Sequence, residues 1–260
     1  MPAVPTSRIS LAACAALALA AQDPSPRPGP SKERVAATVE RIETALKEGT
    51  SADRTAALEA AALVPDKEVA RAVAKGLGAS EVDVRRAAIE CLRVLEHAEA
   101  LQVLHAACRR ERELARDPEL GPALWRAVGQ HGSPSSIEVL ADDPFGASDP
   151  RILHARLLAL ANIRTHASVE ALMSLMNRLG GGQLQPHMDT FRLALARLTG
   201  VDHGVNADSW QRWWNDVKQE LVVTRDPPKL KKDDQQRWDQ FWGREPTRGR
   251  EGRRNRRGSG

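Results

Sequence analysis

Ile89, Leu92, Leu95, Leu101, Leu104 and Cys108 form a set of apolar positions that recurs along the chain. Thirty-one residues upstream it reappears as Leu58, Ala61, Val64, Ala70, Val73 and Leu77. Sixty-eight residues downstream, twice 34, it reappears as Leu157, Leu160, Ile163, Val169, Leu172 and Met176. Steps of three and four residues mark one face of an α-helix, and the wider gap in the middle of each set marks a turn between two helices. A helix pair of this length cannot bury its own apolar face. Copies therefore stack, and the pattern predicts an α-solenoid.

The polar positions punctuate the same plan. Ser31 opens a helix with Val35, Val39, Ile42 and Leu46 on one stripe, closed by Gly49. Ser51 and Asp66 are expected to cap the next two helices, and Ser80 with Asp83 has the spacing of a capping box. Asp117-Pro118, Ser133-Pro134 and Asp149-Pro150 each place a good N-cap before a proline at the first helical position. Gly78, Gly132, Gly180 and Gly200 fall where helices should stop. Helix and turn alternate in this way from residue 31 to about residue 222.

Within this plan Val73 to Leu95 resembles the HEAT repeat. Gly76-Leu77 precedes the turn, and Asp83-Val84-Arg85 leads into Ala87-Ala88-Ile89. Asp149, Ile152, Ala155 and Leu157 follow the pattern less closely, with the arginine one place early at Arg151. Asp117 to Leu140 is the poorest copy, carrying Trp125, Gly121 and Gly129. The resemblance covers about 170 residues and implies an all-α, right-handed α-solenoid of the armadillo-like kind, with about five helix pairs. Leu198-Thr199-Gly200, followed by a helix capped by Asp208 and carrying Trp210, Trp213 and Trp214, resembles the ending of exported bacterial HEAT-repeat proteins. Physically, an end repeat has no neighbour and needs a lid. The three tryptophans, at i, i+3 and i+4 of helix 208–222, supply one.

Outside the repeats the composition changes. Arg8, the apolar run Ile9 to Ala20 and the small residues Ala18 and Ala20 read as a signal peptide over residues 1–21, followed by a Pro-rich linker over 22–30. Leu11 to Cys14 also resembles a lipoprotein box. The run is too short to span a bilayer. An exported chain, periplasmic, secreted or held in the cell envelope, is the expectation. Residues 223–260 form a charged tail, expected to be largely disordered apart from a short helix over 233–242. The formal charge of +4 owes much to this end, and the absence of tyrosine with 3% aromatic residues suits packed helices more than a sheet. Cys91 and Cys108 are expected as small buried apolar residues, because the helix-pair geometry separates them too widely for a disulfide.

No catalytic motif or phosphate-binding glycine pattern occurs, and the seven histidines are scattered. His97 and His131 fall at turns, as solvated polar residues would. Asp202, His203 and Asp208, and separately Asp142, Asp143 and Asp149, are explained as loop and cap residues before any metal. No cofactor or metal is expected. The functional expectation is a non-catalytic scaffold that binds a protein partner. In the family, second helices line the concave side, which would place Arg86, Glu90, Arg93, Arg126 and Arg156 there. The tail combines Trp238, Phe241 and Trp242 with arginines that include Arg253 and Arg254. Two readings follow. The aromatics dock back on the solenoid, or they cooperate with the arginines to hold a polyanion or an anionic surface, nucleic acid being disfavoured by export. A HEAT-like enzyme, of lyase or glycosylase type, is the remaining alternative.

Overall fold

The computed structural model describes residues 29–244, so the expected signal peptide with Cys14, most of the linker, and the tail arginines Arg253 and Arg254 lie outside the described residues. The described chain is helical, with no strand among these residues. Its helices are α1 (Lys32–Glu48), α2 (Ser51–Ala61), α3 (Lys67–Ala74), α4 (Val82–Val94), α5 (Ala98–Arg110), α6 (Arg112–Arg116) and α7 (Gly121–Gln130). They continue with α8 (Ser136–Ala141), α9 (Pro150–Asn162), α10 (His166–Arg178), α11 (Gly181–Leu184), α12 (Met188–Thr199), α13 (Ala207–Val217) and α14 (Lys232–Trp242). No helix among the described residues is long and apolar enough to cross a membrane.

These helices stack in two layers. α1, α3, α5, α8, α10 and α13 pack in series to form the first, and α2, α4, α7, α9 and α12 form the second. Of the eighteen residues in the three recurring sets, seventeen are buried between the layers, and Leu101 is partly buried against the same core. Burial of such side chains contributes on the order of 1.5–3 kcal/mol each before conformational entropy is charged against it. Cys91 and Cys108 are free and buried in that core, and burial pushes both thiols up to about 12.

Helix boundaries follow the capping residues, with shifts of one to three residues from the sequence expectation. Ser31, Asp66 and Asp149 cap α1, α3 and α9 as expected, each accepting a hydrogen bond from the first turn. Thr50, rather than Ser51, caps α2, because Asp53 lies three residues on and completes a reciprocal capping box. Ser80 does not cap α4; its hydroxyl is turned to the Glu81 carboxylate instead. Asn206, not Asp208, caps α13. Asp117 and Ser133 organise turns, so α7 and α8 begin only at Gly121 and Ser136. At Gly200 the backbone turns left-handed, φ +79°, which is where a side chain would be strained.

The weakest sequence copy has a physical reason for its glycines. α7 and α9 cross at Gly129, where an added Cβ would lie 2.6 Å from the Ala159 Cα. The crossing is closed further by Asn162 Nδ2, which donates to the Gly129 carbonyl at 3.0 Å. Trp125, one turn before Gly129 on α7, donates from its indole to the Ala115 carbonyl at 2.9 Å and so ties α7 to α6.

Candidate functional site

The second layer presents a face on which four of the charged residues singled out in the sequence come together. Glu90 on α4 accepts from Arg93 Nε at 2.6 Å and also from the Arg126 guanidinium on α7. Arg86, one turn before Glu90, pairs with Glu119 at 3.0 Å. Arg86, Glu90 and Arg93 edge an open groove of about 930 Å³ between α2 and α4, floored by small side chains such as Thr55, Ala56 and Ala87. The floor is shallow because alanine dominates the facing positions. The rim is charged and partly exposed, which suits contact with another chain more than enclosure of a small molecule.

Arg156 does not belong to this face. It is 4% exposed, between the layers, and its guanidinium stacks 4.1 Å above the Trp125 ring. It donates to the carbonyls of Leu140 (2.9 Å), Val139 (3.2 Å), Asp143 (3.2 Å) and Asp142. The carbonyls at the C-terminal end of α8 have no helical partner, and the guanidinium fork satisfies them. Burial pushes this group down to about 10. The expected partner-contact residue is thus a buried pin.

Between residues 223 and 244 the tail carries the short helix expected over 233–242, as α14, and its aromatics dock back on the stack, the first of the two readings. α14 lies across α12, α9 and α7 on the second-layer face. Trp238 and Trp242 are buried, with Phe241 partly so. Arg197 of α12 stands 4.9 Å above the Trp238 ring, His154 of α9 meets Phe241 edge-on at 5.8 Å, and Trp242 reaches the α7–α9 crossing at Gly129. Arg126 Nη1 donates to the Phe241 carbonyl at 3.4 Å, linking α14 to the Glu90 cluster. At the other end of α14, Asp234 accepts a forked pair from Arg192 at 2.5 and 2.9 Å, and Arg237 returns a bond to Asp189. Hydrogen bonding from Arg237 holds the Asp189 carboxyl below the usual range, and the Asp234 bond raises Arg192 further.

Arg192 and Arg197 were not singled out in the sequence. The available signal was a pair of arginines on α12, whose other positions include Phe191, Leu193, Leu195 and Leu198. A second signal lies in the aromatics. Trp238, Phe241 and Trp242 repeat the spacing of Trp210, Trp213 and Trp214, shifted by 28. The earlier triplet covers the end of the stack: α13 packs on α10, and Trp210 is fully buried, its indole donating to the Gly204 carbonyl at 2.8 Å. Trp213 packs edge-on against Trp210 at 5.6 Å, and Trp214 lies 5.4 Å from the His166 ring.

Five of the seven histidines, His97, His105, His131, His154 and His166, have hydrogen-bonding partners in the fold. His97 caps α5, its Nδ1 accepting from the Glu99 amide at 3.1 Å. His131 is not solvated as its turn position suggested; it is half-buried, with Nε2 3.0 Å from the Leu92 carbonyl. His105 meets Ser136 and His154 meets Thr190, at 2.8 and 2.9 Å. Burial lowers the basicity of His131, His105 and His154 alike. Asp202 bonds Arg192 and Lys231, and Asp143 bonds Arg116. Compared with protein-family models and with curated proteins, the chain matches none.

Proposed function

We propose that this protein is a non-catalytic scaffold of the HEAT-like kind that binds a protein partner on the second-layer face. The observation that carries the reading is the open groove between α2 and α4, rimmed by Arg86, Glu90 and Arg93 and continuous with the surface on which α14 is already seated. A rigid, preformed face loses little ordering entropy on association, and mixed charges at its rim favour a chosen partner over others. The side chains most suited to chemistry support the same reading. Cys91 and Cys108 are held as thiols by burial, and the rings of His131, His105 and His154 are bound to backbone or hydroxyl groups of the fold. The Arg8 to Ala21 segment supports export, which places the partner in the periplasm, envelope or secreted space.

The polyanion reading loses half of its basis, since Trp238 and Trp242 are buried against α12, α9 and α7 and have no free face for stacking. Affinity capture from an envelope fraction tests the scaffold reading, using the full chain and a Glu90→Ala/Arg93→Ala variant. A defined protein retained by the wild type and depleted at least tenfold by the variant is expected. Retention of no protein, or equal retention by both chains, removes the reading.

A further inference from the structure

α14 holds its buried indoles differently from Trp125 and Trp210. Trp125 and Trp210 each give their indole N–H to a carbonyl. Trp238 and Trp242 are as deeply buried, yet neither indole N–H has a hydrogen-bond partner among the described residues. Arg126 Nε, beneath the same helix, is a third buried donor without one. Leaving such donors unpaired opposes docking, and undocking α14 returns both indoles to water. α14 is not among the closely packed helix backbones of the two layers; it is held through side chains. Its tether, residues 218–231, has no helix and runs over the surface, with Val222 80% exposed. Outside α14 the attachment rests on Arg164 to the Thr224 carbonyl, Arg197 to the Pro228 carbonyl, His166 to the Lys218 carbonyl and Lys231 to Asp202, with Leu221, Val223 and Leu230 partly buried against the core.

We propose that the surface of α7, α9 and α12 is a docking site for an amphipathic helix of a partner protein, and that α14 occupies it in cis as a replaceable ligand. The chemistry of the incoming helix is written in α14: a carboxylate for Arg192, an aromatic four residues later under Arg197, and two more aromatics at the next two inward positions, beside His154 and over Gly129. A helix presents these at i, i+4, i+7 and i+8 on one face. A partner carrying the same pattern, with phenylalanine in place of Trp238 or Trp242, keeps the aromatic contact and competes without that unpaired donor. This rests on the scaffold reading only for the class of partner, since the site itself is read from α14.

The probe is a fluorescent peptide of residues 229–244, added in trans to the full chain. Against a Trp238→Ala/Trp242→Ala full chain, in which α14 is weakened, the peptide should bind at least tenfold more tightly than against the wild type, because the resident helix lowers the competent fraction. Adding Arg192→Ala should abolish that gain, and the complex should have the mass of one chain and one peptide. Equal binding to both chains, or none to a folded open variant, overturns the proposal. A concentration-dependent dimer that displaces the peptide also overturns it, in favour of exchange of α14 between two copies. Should the open variant fail to fold, amide exchange of the wild type decides. Exchange of α14 at least a hundredfold faster than α9 supports a replaceable helix, and exchange of both only on global unfolding overturns it. The peptide result is independent of any captured partner, so failure of the scaffold reading and failure of this one are seen separately.

Discussion

Replacing Arg156 with methionine tests whether the buried guanidinium is a structural pin. Methionine keeps much of the side-chain volume and the contact with Trp125 but removes all five donors. Four carbonyls lose their partner. At about 1.5 kcal/mol for each bond to a charged group, the gross loss is ~6 kcal/mol. Two effects reduce it. Burial holds this group down at about 10, a cost on the order of 3 kcal/mol for keeping the charge there, and methionine removes that burden. The adjoining cavity of about 320 Å³, lined by Arg109, Arg116 and Arg156, is wide enough for water to reach some of the freed carbonyls. A net destabilisation of ~2–4 kcal/mol remains. In urea denaturation with m near 2 kcal/mol/M, the midpoint should fall by roughly 1–2 M at constant m. Arg156→Lys should recover little, since one ammonium cannot fork to carbonyls on both sides of the α8 terminus. A midpoint that is unchanged or raised in the methionine variant would refute the pin and show that the charge costs more than its bonds return.

Gly129→Ala should destabilise by ~1–3 kcal/mol despite the better helix propensity of alanine, because its Cβ meets the Ala159 backbone across the α7–α9 crossing. Gly182→Ala, with open space around its Cβ, should be neutral or stabilising, and thermal denaturation of the two variants checks the opposite signs. Acidification from pH 7.5 to 5.5 should lower the urea midpoint. His105, His131 and His154 have folded pKa values below the unfolded value, so the unfolded chain binds more protons in that window and stability is lost as pH falls from the unfolded pKa toward the folded one. A flat midpoint over that range would mean that the three rings are solvated after all.

The two-layer body was legible because its signal is local and repeated: seventeen of the eighteen recurring positions are buried where helical periodicity places them. The cap residues were legible only to within one to three residues, since Thr50 and Ser51, or Asn206 and Asp208, are chemically near-equivalent and tertiary packing chooses between them. Of the candidate site, Arg86, Glu90, Arg93 and Arg126 were readable from their place on the second helices, whose register sets the outward face. Arg156 was misread because α8 is short and its carbonyls end inside the fold, a circumstance visible only in three dimensions. The seat of α14 was hidden for a similar reason. Its partners Arg192, His154 and Arg126 lie 42, 87 and 115 residues before the groups they touch.

The cover over the last helix pair has a consequence for engineering. A stack of this type is in principle extensible, each new pair docking on the face left by the one before. Here α13 spends that face on Trp210 and Trp214, and residues 221–244 then leave the stacking direction to run back over α12, α9 and α7. Further pairs grafted after residue 244 would find no apolar end to continue from and would behave as a separate module on a string. Lengthening the body therefore requires insertion before α13, for example in the segment around α11 that joins α10 to α12, with α13 and α14 carried along as an intact terminator.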